Sequence, residues 1–506
     1  MRKADTIFVT VFFIILLGSC NKATSSIPND PVDPADQTSF ATADAINKRL
    51  GRGINLGDTY ESSWSAPGYH SEYMKKIAES GFKTVRIPIR WELPARSLYI
   101  APYTITASFL SEIKSVIDDA LKNKLHVIIN MHHHDSLYAN PDGMKPMFIA
   151  QWRQIADYFK NYPDSLLFEV LNEPHDKLDA QRWNVFFDDA LKEIRKSNPK
   201  RTVLLGTANW GGLGGLQNLS VPADDRLILT IHYYNPFHFT HQGAEWVAGS
   251  DPWLGTKWYD TEYERQTVTN EFNLAIQFAK EKKLPVNVGE FGAYSKAEMA
   301  SRVRWTRYLA RWFEEQDFSW AYWEFNSGFG IYDPSSGQFR TELVNALTKD
   351  VMVSPTASTL VNLYSSNFSN PQADGWGLYN NDASAASTMA VNNNKIKVTI
   401  TSPGKENWHI QLIRQNLAIE VGKMYRVEFN AYSNTGRSIV ATIMQSAAPW
   451  SAYGENTFDI SSADTKYSFV FTAPATDAHC NFVFSLGKNG NTPVTIYDIK
   501  LQEVKL

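Results

Sequence analysis

Short apolar runs alternate with amphipathic segments along residues 40–350. The apolar runs predict strands at Gly51–Gly57, Phe82–Ile89, Leu125–Met131, Leu166–Leu171, Thr202–Thr207, Leu227–Tyr233, Pro285–Gly289 and Phe318–Trp323. The segments between them have helical periodicity, as at Ala107–Lys122, Lys145–Tyr158, Ala180–Lys196 and Tyr263–Lys282. Eight strand–helix units in about 310 residues fit a (β/α)8 TIM barrel better than an open doubly wound sheet. No Gly-x-Gly-x-x-Gly follows the first strand, which further disfavours a dinucleotide-binding sheet.

The pattern changes after Pro355, where helical periodicity disappears. Alternating runs separated by Asn, Gly and Ser clusters predict strands at Lys395–Thr401, Tyr425–Ala431, Val440–Met444, Tyr467–Thr472 and Asn481–Ser485. Such a series is typical of an all-β sandwich. We therefore predict a barrel over residues 40–350, a linker over 351–365 and a sandwich domain over 366–506.

The N-terminal segment has the features of an export signal. Basic residues at positions 2–3 precede an apolar run over 7–17, and residues 1–19 are predicted to be a signal peptide. The sequence Leu-Gly-Ser before Cys20 resembles the lipobox of bacterial lipoproteins, which implies lipidation of Cys20 and a flexible tether over 20–39. The alternative is an ordinary secretory peptide with a chance cysteine. The expected location is the bacterial outer membrane or cell surface, through a lipid anchor.

Composition narrows the class of partner. The net charge is −4, with 49 Lys and Arg against 53 Asp and Glu, which argues against nucleic acid. Aromatic residues make up 13% of the chain and include 15 Trp, and aromatic planes pack well on the C–H faces of sugars. If Cys20 carries lipid, Cys480 has no cysteine partner within the chain.

Polar residues follow most of the predicted barrel strands, at the end where barrels carry their chemistry. Glu173 and Glu290 each come just after a buried run. Two carboxylates brought to one pocket can cleave a glycosidic bond. The other strand ends carry Asn55, Asp58, Arg86, His132, His133, Asn172, His232, Tyr234 and Trp323.

As a set, these residues resemble glycoside hydrolase family 5, a family of retaining (β/α)8 glycosidases. The segments that carry the resemblance are GRGINLGD, TVRIPIRW, INMHHHD, FEVLNEP, IHYYNPFHFTHQGAEW, VNVGEFGAY and SWAYWEFNSGFGIYD. The last three resemble most a branch of endo-β-1,4-glucanases, some of which also cut β-mannans. The resemblance covers nearly all of residues 40–350.

The resemblance implies a role for each residue of the site. Glu173 is expected to be the general acid/base and Glu290 the nucleophile. Arg86 and Tyr234 are expected to hold Glu290, and Asn172 to bind the sugar 2-hydroxyl. Sugar contacts or orientation of the glutamates are expected from Asn55, Glu61, His132, His133, His232, Trp323 and Trp246, with Trp210 as a further candidate.

Asp58 departs from the family pattern, which usually has Asn after the glycine. An ionised aspartate accepts hydrogen bonds but cannot donate them. The preferred sugar is therefore open at this position. His132, His133, His134 and Asp135 also suggest a metal site, but neighbours on a strand point to opposite sides. We expect neither a metal nor a cofactor.

The C-terminal domain resembles a jelly-roll carbohydrate-binding module. The resemblance lies in the segments FSN, NWHIQL, YRVEF and IYDI. The candidate ligand contacts are Trp376, Trp408, Gln411 and Trp450. Trp408 has an alternative position in the core, facing inward with Ile410. A structural calcium is possible in such modules, although no loop has a dense set of ligands.

The sequence thus predicts a cell-surface enzyme that hydrolyses β-1,4-glucan by double displacement and acts as a monomer. One alternative is a β-mannanase, mixed-linkage glucanase or xyloglucanase of the same family. The other is a non-catalytic lipoprotein that captures glycans, which the intact pair of glutamates disfavours.

Overall fold

A computed structural model describes residues 40–62, 68–369 and 373–506 of the 506-residue chain. The predicted signal peptide, Cys20 and the whole of the predicted tether lie outside the described residues. Within the described ranges, none of the helices is both long and apolar enough to cross a membrane.

Eight parallel strands close into a barrel in chain order, which confirms the predicted fold class. The strands are β1 Arg52–Asn55, β2 Thr84–Ile87, β3 His126–Asn130, β4 Leu166–Glu169, β5 Val203–Leu205, β6 Leu227–His232, β7 Val286–Glu290 and β8 Ser319–Tyr322. Strand β8 pairs with β1 through Gly53 and Ala321, which completes the ring. A Cβ on Gly53 would lie 2.8 Å from the carbonyl oxygen of Trp320, so a side chain would push these strands apart.

Helices surround the strands. They are α1 Ala43–Leu50, α2 Glu72–Glu79, α3 Ala107–Lys122, α4 Asp135–Ala139, α5 Pro141–Tyr158, α6 Ala180–Ser197, α7 Phe237–Thr240, α8 Glu262–Lys282, α9 Met299–Glu315 and α10 Thr341–Thr348. Short 3₁₀ turns lie at Leu213–Asn218 and Asp251–Trp253, and a small hairpin is formed by β9 Tyr332–Asp333 and β10 Gln338–Phe339. Helix α8 begins with a capping box, in which the Thr261 hydroxyl accepts from the Glu264 amide and Glu264 accepts from the Thr261 amide.

Helix α1 closes the N-terminal end of the barrel. Ile46 and Leu50 pack with the inward-facing residues of four strands, Ile128, Leu167, Leu204 and Ile228. Asn47 fixes the helix in place, since its Nδ2 donates to the Val286 carbonyl (3.1 Å) and its Oδ1 accepts from Ser319 Oγ (2.7 Å). With this end filled, the carboxyl ends of the strands are the open side of the barrel.

Two antiparallel sheets form the C-terminal sandwich, as predicted. One has the order β13-β14-β21-β16-β19 with β11 on β21, and the other β12-β15-β20-β17-β18. The strands are β11 Thr359–Ser366, β12 Trp376–Asn380, β13 Ala385–Asn392, β14 Lys395–Pro403, β15 Ile410–Ile419, β16 Met424–Ser433, β17 Arg437–Met444, β18 Ala452–Ile460, β19 Thr465–Thr472, β20 Asp477–Ser485 and β21 Val494–Lys505. Alternate residues of both sheets form one apolar core, which includes Val427, Phe429, Ile443 and Phe484.

The predicted linker over 351–365 extends too far, because its second half belongs to a strand of the sandwich and its first half contacts the barrel. Strand β11 begins at Thr359 and pairs with β21 as part of the sandwich. Before it, the Thr356 amide donates to the Asp260 carbonyl (2.8 Å), and Arg265 Nη2 donates to the Val353 carbonyl (2.9 Å). The segment lacks the Gly- and Pro-rich composition that is typical of a flexible linker. Hydrogen bonds of its backbone hold it against the two domains.

Candidate active site

Glu173 and Glu290 lie together at the open end of the barrel. Glu290 is the last residue of β7, and Glu173 follows β4. One carboxylate oxygen of each glutamate and a ring nitrogen of His232 all lie within 4.8 Å of one another. Parallel strands bring their carboxyl ends to one edge, so two residues 117 positions apart share one pocket.

Arg86, on β2, is the centre of a buried hydrogen-bond network. Its Nη1 donates to Glu290 Oε1 (2.7 Å) and to Asn55 Oδ1 (2.7 Å), while its Nη2 donates to Asn172 Oδ1 (2.6 Å). Its Nε and Nη2 also form a two-point ion pair with Glu169 at 2.7 Å each. The neighbouring carboxylates raise the pKa of Arg86 against the effect of burial, so the guanidinium stays charged.

Glu169 is a member of this network that the sequence analysis missed. It is the last residue of β4, and its side chain is completely buried. The signal was present in the sequence: a glutamate in the otherwise apolar run before Asn172 requires a buried partner, because an unpaired buried carboxylate is strongly unfavourable.

The predicted sugar contact at Asn55 is wrong, since its side chain lies completely buried beneath the pocket. Arg86 is equally buried and holds Glu290, as predicted. Asn55 Nδ2 donates to the carbonyls of Gly289 (3.0 Å), Ala321 (3.2 Å) and Tyr322 (3.2 Å). It therefore joins β1 to β7 and β8 and orients Arg86. Their role is to support Glu290.

Glu290 accepts hydrogen bonds at both oxygens. Arg86 Nη1 donates to Oε1, and the Tyr234 hydroxyl donates to Oε2 at 2.9 Å. Burial raises the pKa of Glu290, against the lowering effects of His232, Arg86 and the Tyr234 hydrogen bond. These donors stabilise the carboxylate and fix its direction, while burial makes it a stronger base.

Glu173 accepts a hydrogen bond from His232 instead. His232 Nδ1 lies 2.7 Å from Glu173 Oε1 and 3.6 Å from Glu290 Oε2. Burial acts to raise the pKa of Glu173, but His232 outweighs it and lowers the pKa. Burial acts to lower the pKa of His232, but Glu290 and Glu173 outweigh it and raise the pKa. Together these shifts retain one proton in the contact between Glu173 and His232.

His132 and Trp323 form one wall of the pocket. Their rings stack with centroids 5.4 Å apart and planes 8° apart. Burial lowers the pKa of His132 far below its usual range, so its imidazole is neutral. The ring of His133 contacts His132 edge-on at 4.7 Å, and burial lowers its pKa too. Trp323 is only partly buried, so part of its surface remains available to a ligand.

A second cluster of acidic residues lies beside Trp323. The Glu61 side chain is 1% exposed and accepts from the backbone amides of Asp58 and Thr59. The structure thus gives Glu61 the role of holding the loop that presents Asp58, in place of the predicted sugar contact. Burial, followed by the charge of Asp58, raises the pKa of Glu61 to about 8 and that of Glu324 to about 8.

Two tryptophans lie on the rim of the open end. Trp246 is 59% exposed and packs edge-on against Tyr294, with ring centroids 4.9 Å apart. Trp210 is 58% exposed and stacks on His175 at 3.6 Å, while His175 Nδ1 lies 2.5 Å from the Glu173 carbonyl oxygen. Each indole packs against a neighbouring ring and presents a broad face to solvent, which suits stacking on sugars.

The sandwich candidates divide into two groups. Trp376 is 3% exposed and packs in the core against Phe482 and Phe484, so its prediction as a ligand contact is wrong. Trp408 is 49% exposed, which rules out the alternative of a core position. Gln411 Oε1 accepts from Asn381 Nδ2 (2.9 Å), and Asn381 Nδ2 also donates to the Trp408 carbonyl (2.8 Å). Trp408 and Gln411 therefore share one surface, whereas nothing described connects Trp450 to it.

The group formed by Glu173, His232 and Glu290 is close enough to hold a metal ion. However, the Arg86 guanidinium already contacts Glu290 at the distance of a direct ion pair. A fixed positive charge at this point repels a second cation and leaves the carboxylates to act as acid, base and nucleophile.

Family models match both domains. The model described as "Cellulase (glycosyl hydrolase family 5)" matches residues 48–328, and the one described as "Carbohydrate binding domain" matches residues 362–493. The first match covers more than half of the chain and includes Glu173 and Glu290.

Relatives and solved structures agree with this assignment. Endoglucanase H of Acetivibrio thermocellus is 35% identical over 311 residues, which are 59% of this chain and 33% of that protein. Endoglucanase C of the same organism is 28% identical and covers 54% of this chain and 90% of that protein. The solved structure of endoglucanase Cel5A from Thermotoga maritima is 45% identical, covers 61% of this chain and 100% of that chain, and superimposes with a TM-score of 0.59. The chain thus spans about a third of endoglucanase H but the whole of the solved Thermotoga maritima chain.

Proposed function

Because the chain belongs to glycoside hydrolase family 5, we propose that it hydrolyses β-1,4-glucan within the polymer, with retention of the anomeric configuration. One observation carries the proposal: oxygens of Glu173 and Glu290 lie within 4.8 Å of each other. Retaining enzymes hold their two carboxyl groups about 5–5.5 Å apart, whereas inverting enzymes need roughly 6.5–9.5 Å to admit a water.

The first step forms a glycosyl-enzyme. Glu290, held by Arg86 and Tyr234, attacks the anomeric carbon as the bond to the leaving oxygen breaks. The proton held between His232 and Glu173 passes through Glu173 to that oxygen across the 2.7 Å contact, which leaves Glu173 ionised and His232 neutral. Asn172 Oδ1 is held by Arg86, which orients its amide so that Nδ2 can donate to the sugar 2-hydroxyl.

The second step releases the sugar. Glu173, now ionised, takes a proton from a water molecule that attacks the anomeric carbon, and Glu290 leaves as a carboxylate. The two inversions give net retention. The Arg86 and Tyr234 contacts stabilise Glu290 each time it carries a full charge, so they lower the barrier to the second step.

The β-1,4-glucan backbone is favoured by the relatives, which are named as endoglucanases. A β-mannan backbone is the second candidate. One solved structure of the Thermotoga maritima enzyme is a complex with mannotriose, and it is 45% identical to this chain. Gly57, the neighbour of Asp58, lies against the Trp323 ring, so Asp58 adds an acceptor at the edge of the pocket, where the choice between sugars can be made.

The sandwich is proposed to bind polysaccharide through the surface at Trp408 and Gln411, which raises the local concentration of substrate for the barrel. Export and a lipid anchor at Cys20 are proposed from residues 1–20 alone. An enzyme bound to a surface benefits from a second glycan site, because it cannot diffuse along its substrate.

A panel of soluble polysaccharides tests the function. The purified protein is expected to release reducing ends fastest from barley β-glucan and carboxymethylcellulose, more slowly from glucomannan and slowest from xyloglucan, with β-configured new ends in early NMR spectra. Glu290→Gln serves as the inactive control. A preference for mannan would make β-mannan the substrate in place of β-1,4-glucan. Products with the α configuration would exclude retention. Wild-type protein that is as inactive as Glu290→Gln would support glycan capture without catalysis.

A further inference from the structure

The sandwich and the barrel are joined by a packed interface. Met424, Val470 and Val504 of the sandwich pack against Tyr259 and Tyr263 of the barrel, together with Leu360. The Arg426 guanidinium lies over the Tyr263 ring, 5.3 Å from its centroid. Tyr263 belongs to α8, so this helix forms the barrel side of the interface.

A partly buried polar contact lies two helical turns further along α8. Asn456, on β18 of the sandwich, donates through Nδ2 to Glu271 Oε1 on α8 at 2.7 Å. Glu271 Oε2 accepts from the Tyr233 hydroxyl (2.7 Å) and from Asn235 Nδ2 (3.1 Å). One carboxylate therefore connects the sandwich with two residues of the barrel.

Those two barrel residues flank Tyr234, whose hydroxyl donates to the nucleophile Glu290 at 2.9 Å. The Tyr233 amide also donates to the Glu290 carbonyl at 2.9 Å. The backbone of this segment is thus held from one side by β7 and from the other by Glu271. A shift of the segment would move the Tyr234 hydroxyl relative to the Glu290 carboxylate.

The burial of the Glu271 carboxylate is offset by three hydrogen-bond donors. All three are neutral groups, so each hydrogen bond matters to its stability. Burial raises its pKa, and the hydrogen bonds from Tyr233, Asn235 and Asn456 oppose that rise. Loss of one donor leaves a partly buried carboxylate with less compensation, and its remaining hydrogen bonds then weaken or rearrange.

We propose that Asn456 is a positioning residue for the nucleophile of the barrel: through Glu271 it holds the segment that carries Tyr234. The sandwich is then part of the catalytic unit, in addition to any binding of polysaccharide. This inference rests on the proposed function of Glu290 and deepens it.

Kinetics on a small substrate tests the idea, because an aryl β-cellobioside (or the β-mannobioside if the panel favours mannan) needs no binding by the sandwich. Asn456→Ala in the full chain is expected to lower kcat about 3- to 10-fold with KM changed less than about twofold, the size of one hydrogen bond. The Tyr234 hydrogen bond lowers the pKa of Glu290. Its weakening should therefore move the acid limb of the kcat/KM profile to higher pH.

Two further variants make the result decisive. Asn489→Ala is the matched control, since Asn489 is exposed on the sandwich and donates to the Ser438 carbonyl. It should match wild type in both readouts. Tyr233→Phe removes a donor to Glu271 from the barrel side, so it should lower kcat similarly, and its effect should not add to that of Asn456→Ala.

The outcomes separate the two hypotheses. If wild-type protein does not turn over either aryl glycoside, the proposed function fails. If wild type is active but Asn456→Ala keeps the kcat and acid limb of Asn489→Ala, the positioning role is wrong, whatever happens to the Tm. Additive effects of Asn456→Ala and Tyr233→Phe would also overturn it. Should Asn456→Ala fail to fold, Tyr233→Phe alone decides, since an unchanged acid limb contradicts the role of Glu271.

Discussion

Arg86 and Glu169 form a two-point ion pair, with both N–O distances at 2.7 Å and both side chains completely buried. The pair leaves Arg86 Nη1 to contact Glu290. Glu169 therefore balances the charge of the guanidinium that holds the nucleophile. Without that balance, Arg86 would stabilise the Glu290 carboxylate more strongly and make it a weaker nucleophile.

Glu169→Gln tests this balance. The variant keeps the shape of the side chain but removes its charge, so the pKa of Glu290 should fall. We expect the acid limb of the kcat/KM profile to move to lower pH and kcat to fall by about tenfold, or about 1.4 kcal/mol of barrier. The control is Glu314→Gln, which disrupts the ion pair with Arg52 at the other end of the barrel (2.7 Å). Identical pH profiles for the two variants would contradict the role of Glu169.

Chemical rescue distinguishes the two catalytic glutamates. Glu173→Ala should lose most activity on polymer but recover with azide and an activated aryl glycoside, whose leaving group needs no proton. Azide then attacks the glycosyl-enzyme and gives a β-glycosyl azide. Glu290→Ala should give an α-glycosyl azide, because azide replaces the nucleophile directly. NMR of the products checks the anomers, and the reverse pattern would mean that the roles are exchanged.

Asp58 should make the stability of the barrel depend on pH. Glu61 and Glu324 have pKa values raised from 4.5 to about 8, first by burial and then by the charge of Asp58. A carboxyl whose pKa is higher in the folded state stabilises the fold at low pH, and that stability is lost as pH rises from about 4.5 to 8. Asp58→Asn removes one cause of the shift.

The Asp58→Asn variant is therefore expected to gain about 1 kcal/mol over wild type at pH 8 and almost nothing at pH 4. Urea unfolding at the two pH values measures the difference. Asp176→Asn, at a solvent-exposed residue that also has a positive φ, is the matched control. A gain of equal size at both pH values would show that the charge of Asp58 is not the cause.

Two tryptophans of the sandwich should respond in opposite ways. Trp408→Ala removes a half-exposed ring, so binding to insoluble polysaccharide should weaken about 3- to 10-fold with little change in Tm. Trp376→Ala removes a core ring that packs on Phe482 and Phe484, so the sandwich should lose about 3–5 kcal/mol of stability. Pull-down on cellulose and calorimetry give the two readouts. A large loss of stability in Trp408→Ala would place the ligand surface elsewhere.

Deletion of residues 355–506 tests the interface between the domains. If only a flexible linker joined the two domains, deletion of the sandwich would leave the turnover of short oligosaccharides unchanged. The packed interface and the contact of Asn456 with Glu271 instead predict a lower Tm and a lower kcat on the same substrates. Full activity and an unchanged Tm in the truncated barrel would contradict a role of the interface in stability and catalysis.

The amino-acid sequence by itself determined the architecture and the two glutamates. Alternation of apolar runs and helical periodicity was sufficient for the barrel, and helix α3 begins and ends at the predicted residues, Ala107 and Lys122. Residues at strand ends were predictable because parallel strands place their carboxyl ends at one edge. Glu173 and Glu290 follow from that rule and from the motifs around them.

Only the tertiary structure decided which polar residues face a ligand and which support it. Asn55 and Glu61 were both predicted to contact sugar, but Asn55 is buried against backbone carbonyls of β7 and β8, and Glu61 is buried against the amides of its own loop. Trp376 and Trp408 are both tryptophans in alternating segments, yet one lies in the core and the other on the surface. Periodicity gives the face of a strand, but what covers that face comes from elements far away in the chain. For the same reason the contact between Asn456 and Glu271 could not be predicted, since it joins residues 185 positions apart in two domains.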